Sequence, residues 1–174
     1  MKVLVTAASF PGTNDPIGDK IYRTLKRDGV EVSRMPPEAV CSVTGFDAVV
    51  IGSALHSGRW LRPAVQLVDR QAAQLMQRKV WLFSSGSIDE PSTGRPHSLE
   101  LAALKAKAGA VEHRLFPLTR GQEVLQFAEA AAVAPLVKPV DGAYDIHQIR
   151  KWATGIARTL RAESGRHDEW QLTV

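Results

Sequence analysis

The chain has 174 residues, 44% of them hydrophobic and 23% charged, which suits one globular domain with a substantial core. Its formal net charge is +4, yet Lys and Arg are scattered and form no block resembling a nucleic-acid arm. Cys41 is the sole cysteine, which excludes an intrachain disulfide and a Cys-rich metal site, and it reads as a buried or idle thiol.

The opening "MKVLVTAASFPG" is too short for a signal peptide, and no window approaches the ~20 apolar residues of a membrane span. A cytoplasmic protein of bacterial type is expected, with peripheral membrane association left open. "KVLVT" reads as a buried first strand. After a glycine-bearing loop, Ile17, Ile21, Tyr22 and Leu25 recur at helical spacing, with Pro16 in the first turn and Gly29 closing the helix. "VEVSRM" is a second strand and "FDAVVIGSAL" a third, its unbroken apolar run indicating burial on both faces. A helix is expected from about Leu61 to Gln77, with Val65, Val68, Ala72 and Leu75/Met76 on one face.

"KVWLFSSG" is a fourth strand, "SLELAALKAKAGA" a helix ending at Gly109, and "VEHRLFPL" a fifth strand. Beyond it, "EVLQFAEAAAVAPLV" reads as helical and "KPVDGAYD" as a loop. "IHQIRKWATGIARTL" is an amphipathic helix with a stripe through Ile146, Ile149, Ala153, Ile156 and Leu160. The organisation is one domain over residues 1–162 and a polar, frayed tail over 163–174. Strands alternating with helices predict an α/β sandwich whose parallel sheet is covered on both faces.

In open α/β sheets, ligands bind outside the carboxyl ends of the strands. Three loops leave such ends, Ser9 to Asn14, Ser53 to Trp60 and Ser84 to Gly94, and all three are rich in small and hydroxyl residues. The first, "SFPGTND", precedes a helix N-terminus, where unpaired N–H groups favour an anion. Taken alone it fits either a phosphate cradle or a turn capped by Asn14 or Asp15. There is no G-x-G-x-x-G, P-loop, receiver-domain aspartate, Cys-x5-Arg loop or G-x-S-x-G elbow. His97, His113, His147 and His167 show no metal-ligand spacing.

"FDAVVIGSALHSGRWLRPAVQLVDR", "KVWLFSSGSID" and "GAYDIHQIRKWATGIARTL" resemble the flavodoxin-like domain family that includes the menaquinone-dependent protoporphyrinogen dehydrogenases and their soluble relatives. The resemblance implies a flavodoxin-like three-layer sandwich, a five-stranded parallel sheet in the order 2-1-3-4-5, and an FMN site. By position, it implies that Ser9, Phe10, Gly12, Thr13 and Asn14 hold the phosphate. Ala54, Leu55, His56, Ser57, Gly58 and Trp60 flank the ring on one side, and Ser84, Ser85, Gly86 and Ser87 lie along the other edge, with Ile88 beyond. The chain departs from the family's first loop at Pro11, which removes an N–H, and at Asn14, which replaces a hydroxyl.

Several of these residues have a plainer reading. His56 is a ring neighbour or a solvated loop histidine. Trp60 begins a helix and is more simply core than a flavin cover, and Arg59 and Arg62 are surface arginines or contacts for an anionic substrate. No catalytic side chain is assigned. The expected function is an FMN-dependent oxidoreductase or electron carrier, with a redox partner protein or a quinone as acceptor and protoporphyrinogen oxidation as its sharper form. The alternative is a non-redox binding or regulatory module on a flavodoxin scaffold with weakened or lost FMN binding.

Overall fold

The computed structural model describes residues 1–10, 12, 15–86, 97–117 and 144–171, with 97, 98 and 164–171 described as backbone. In β1 (Lys2–Ala8), Val3 and Val5 enter one core while Leu4 and Ala8 enter another. A strand that is apolar on both faces belongs inside a covered sheet. β1 accordingly pairs in parallel with β2 (Glu31–Arg34) on one side and β3 (Ala48–His56) on the other. β4 (Arg59–Trp60) turns back antiparallel onto the end of β3, placing Trp60 opposite Leu55. β5 (Lys79–Ser85) and β6 (Ala110–Phe116) continue the parallel sheet, whose order is β2-β1-β3-β5-β6. With the two-residue β4 set aside, this is the order expected from the sequence.

α1 (Pro16–Arg27) and α4 (Ile146–Gln171) cover one face of the sheet. Ile17, Ile21 and Leu25 there meet Trp152, Ile156 and Leu160 over Val3, Val50 and Phe83. α2 (Arg62–Leu75) and α3 (His97–Ala108) cover the other face, where Leu67, Val68, Leu75 and Leu104 lie over Leu4, Val49, Ile51 and Leu82. Each such side chain contributes about 1.5–3 kcal/mol on leaving water, so two closed cores, not one, hold the central strands.

The structure differs from expectation in three places. α2 buries Ala64, Leu67, Val68, Gln71 and Leu75, and Met76 is exposed. The stripe is rotated because Gln71 turns inward, accepting the Val43 N–H at 3.2 Å and donating to the Cys41 carbonyl at 3.2 Å. α4 buries Trp152 and Ala157 in addition to the expected stripe, leaves Ile146 exposed, and continues past Ala162 to Gln171. Cys41 itself is exposed, not buried. The helix read in "EVLQFAEAAAVAPLV" lies outside the described residues. Among those residues, no helix is long and apolar enough to cross a membrane.

Candidate functional site

β1 has β2 on one side and β3 on the other, so the strand order reverses there and a crevice opens at the carboxyl ends of β1 and β3. Ala7 pairs with Gly52 and Ala8 with Ser53 just below it. A small cleft occupies this point. Its walls are mostly small, with Ala8, Ser9, Ser53, Ala54 and Ser85 beside Phe10, Asp15 and Tyr144.

The first wall ends at the start of α1. Asp15 is the N-cap, its Oδ1 accepting the Gly18 N–H at 2.8 Å. A Cβ at Gly18 would overlap that carboxylate, so the glycine is what lets the cap lie down on the helix. Arg34 approaches from β2, its Nη2 3.2 Å from the Asp15 carbonyl and 3.4 Å from Oδ2. Burial pushes the Asp15 carboxyl above its usual range, against the opposing pull of the Gly18 N–H and Arg34. One of the α1 N-terminal donors is therefore already taken by a carboxylate. Gly12 has φ 77°, and a Cβ there would meet nothing, so backbone conformation rather than crowding calls for glycine. Pro11, Thr13 and Asn14 lie outside the described residues.

The second wall is a hairpin. Ser57 and Gly58 have φ 49° and 71°, and a two-residue turn with both centres positive matches the right-handed strand twist. The chain returns as Arg59–Trp60, so Trp60 lies in β4, two residues before α2 begins. Side chains tie this hairpin down from three directions. The Leu61 N–H donates to Ser53 Oγ at 2.8 Å, and Arg59 Nε meets Glu100 of α3 at 2.9 Å. Trp60 Nε1–H donates to Ser84 Oγ at 2.7 Å, and Ser84 Oγ is 2.9 Å from His113 Nε2 on β6. Ser84 is fully buried and Trp60 is 6% exposed, so both stand behind the crevice and brace its wall.

Phe10 of the first loop meets His56 at the end of β3, their rings edge to face at 5.8 Å. On the β5 side, Gly86 has φ 141° and its N–H lies 3.4 Å from the Phe116 carbonyl. A Cβ there would press on Leu55 at 3.0 Å. Of the residues picked from the sequence, Ser9, Phe10, Ala54 and Ser85 line the cleft, and His56 is exposed at its rim. Leu55, Gly58, Trp60, Ser84 and Gly86 are buried around it, with Ser57 half-buried at the turn and Gly12 exposed in the first loop. Thr13, Asn14, Ser87 and Ile88 fall outside the described residues. His113 escaped the sequence reading because only strand register, which sets it opposite Leu82, brings it beside Ser84. Among the described residues, no cluster of His, Cys, Asp and Glu could hold a metal ion.

Residues 4–133 match the family model described as "Flavodoxin domain". The chain belongs to the flavodoxin domain family. A flavodoxin from the domain Archaea superposes with a TM-score of 0.63 at 18% identity, covering 92% of this chain and 99% of that one. A mutant of flavodoxin from Pseudomonas aeruginosa gives 0.60 at 16%, with 92% and 99% covered. Rubredoxin oxygen:oxidoreductase from the anaerobe Desulfovibrio gigas gives 0.60 at 17%, with 92% of this chain but 36% of that one covered. No curated protein sequence matches the chain.

FMN is the cofactor that this flavodoxin-domain membership implies, and the residues present fit it. Small side chains from three strands let a ligand approach the backbone. Phe10 and His56 offer planar rings beside the cleft, and the positive-φ hairpin sets its half-buried turn next to them. Among the described residues lining the cleft, Asp15 is the carboxylate that works against an anionic ligand in the first loop, and its raised pKa reduces that opposition.

Proposed function

We propose that this protein is an FMN-binding electron carrier that uses the crevice between the ends of β1 and β3. The observation that carries this reading is the cleft at the strand-order reversal, lined by Phe10 and by small residues from three strands. Ser9, Gly12, Thr13 and Asn14 hold the phosphate, with the α1 N-terminus below them. Phe10, Ala54, Leu55, His56, Ser57 and Gly58 flank the ring, and Ser85, Gly86 and Ser87 follow its other edge. Trp60 and Ser84 position the hairpin from behind. Bound FMN supplies one- and two-electron transfer; the chain supplies orientation and a controlled polarity.

The resemblance of "FDAVVIGSALHSGRWLRPAVQLVDR" and the closing helix to the protoporphyrinogen dehydrogenase group supports a sharper version, protoporphyrinogen oxidation linked to a quinone. FMN-dependent turnover of protoporphyrinogen with a menaquinone analogue tests it, and a lack of turnover by the FMN-loaded protein removes it. The half-buried Asp15 carboxylate at the α1 N-terminus favours a second reading, a flavodoxin scaffold with weakened FMN binding. Titration of the full chain with FMN, followed by quenching of flavin fluorescence, separates the two: saturable quenching is expected, and none at any FMN concentration discards the electron carrier.

A further inference from the structure

The positive charge of this chain is gathered on one face. α1 with its caps Asp15 and Asp28, and α4 from its capping Asp145 as far as Glu163, carry eight of the 22 Lys and Arg but five of the 18 Asp and Glu. The other residues hold 14 and 13, so they are nearly neutral and the two helices carry most of the excess. On α4, His147, Arg150, Lys151, Thr154, Arg158 and Arg161 recur at helical spacing along the side opposite the buried Ile149, Trp152, Ile156 and Leu160. On α1, Arg23, Lys26 and Arg27 are exposed and Lys20 is half-buried.

The two basic stripes are one surface. Arg27 Nη2 lies 3.5 Å from Thr154 Oγ1, and that hydroxyl donates to Asp28 at 2.8 Å. Burial works against the charged form of Asp28. Hydrogen bonds from Arg27 and Thr154, and the charges of Arg27 and Arg161, nevertheless hold it below the usual carboxylate range. Arg23 and Arg27 pair with Asp19 and Asp28. Among the described residues, Lys20, Arg150, Lys151 and Arg158 make no ion pair with a carboxylate. Cations held together without counter-charges create a field that attracts an acidic surface and speeds its encounter.

We propose that the outer face of α1 and α4 docks an acidic protein, the redox partner of the electron carrier; the partner's role, though not the docking, rests on the FMN reading above. Helices that enter a lipid interface set large apolar residues beside their cations. Among the residues of both helices whose side chains are described, the large apolar ones are turned to the sheet, apart from Ile146, which is exposed at the start of α4. Both helices also begin at the crevice, with Pro16, Ile17 and Tyr144 in its lining. A protein seated on this face therefore lies against the wall of the cofactor site.

The test uses the full chain and a small acidic ferredoxin as probe, with affinity measured by calorimetry at low ionic strength. R150E/K151E and K105E/K107E each lower the net charge by the same amount, the second on α3 across the sheet. The proposal expects about a tenfold or greater loss of affinity in R150E/K151E, less than about threefold in K105E/K107E, and weakening of wild-type binding by added salt. Equal losses in the two variants, or no ferredoxin binding by the wild type, overturn it. So does binding of phosphatidylglycerol vesicles or random duplex DNA that R150E/K151E abolishes while ferredoxin binding survives. FMN titration of each variant keeps the two claims apart: a wild type that binds ferredoxin on this face but no FMN retains the docking surface and loses the electron-transfer role.

Discussion

The two walls of the crevice are built on opposite principles. The hairpin after β3 is braced from behind by Ser53, Ser84, His113 and Glu100, contributed by three strands and a helix. The wall after β1 is fixed in the described residues by a local device, Asp15 folded onto its own helix, with Arg34 beside it. A site that must hold a planar group gains from a rigid wall, because orientation is set before the ligand arrives. A wall set by one charged cap responds instead to charge. The hairpin is set by packing and hydrogen bonds from several elements; the described part of the first wall is set by one carboxylate.

The sharpest way to break the contrast is to remove the brace. Trp60→Ala is expected to cost about 3–5 kcal/mol of stability in urea unfolding, as for other buried aromatic deletions. Ser84→Ala leaves the Trp60 N–H unpaired in the core and should cost about 1–3 kcal/mol. It should also weaken FMN binding, as read by fluorescence titration, and shift the Trp60 indole N–H resonance even without FMN. On the other wall, Asp15→Ala removes a helix cap and should cost about 0.5–2 kcal/mol.

Asp15→Asn sharpens the difference, since asparagine still caps but carries no charge. The folded Asp15 carboxyl lies above its unfolded value, so its contribution is fully present below pH ~3.8 and is lost as pH rises through the folded value. Asp15→Asn should therefore gain on wild type in unfolding experiments as pH rises from about 3.5 to 7, and should tighten FMN binding. A variant whose stability tracks wild type at every pH would show that burial at Asp15 is fully compensated. Phe10→Ala should have the smallest effect on folding, within about 0.5 kcal/mol for a residue outside the core, while still lowering FMN affinity.

Much of this architecture could be read from residue patterns because its strands are buried on both faces. Within "KVLVT" and "FDAVVIGSAL" the runs Val3–Val5 and Ala48–Ile51 are apolar without interruption, which fits a covered parallel sheet. The crevice was legible as well, since small residues cluster after each of the three strands that form it. The missed features depend on register or on single side chains. β4 is two residues long, too short for a period, and its turn places Ser57, not a glycine, at positive φ. His113 looks like any polar strand residue until β6 is set against β5. The rotated stripe of α2 follows from Gln71, a polar side chain taken inward to satisfy the backbone at Cys41 and Val43. No apolar periodicity can announce that.

The core beneath α1 and α4 joins Val3 and Val5 of the first strand to Trp152, Ile156 and Leu160 of the last helix. During synthesis those valines, with Trp81 and Phe83, emerge long before their cover. Contacts this distant along the chain are slow to form, because the intervening loop must close before any of them stabilises the fold. Docking of α4 is thus expected to be a slow step of folding, and until it occurs the part of this apolar face that α1 leaves open is exposed to neighbouring copies.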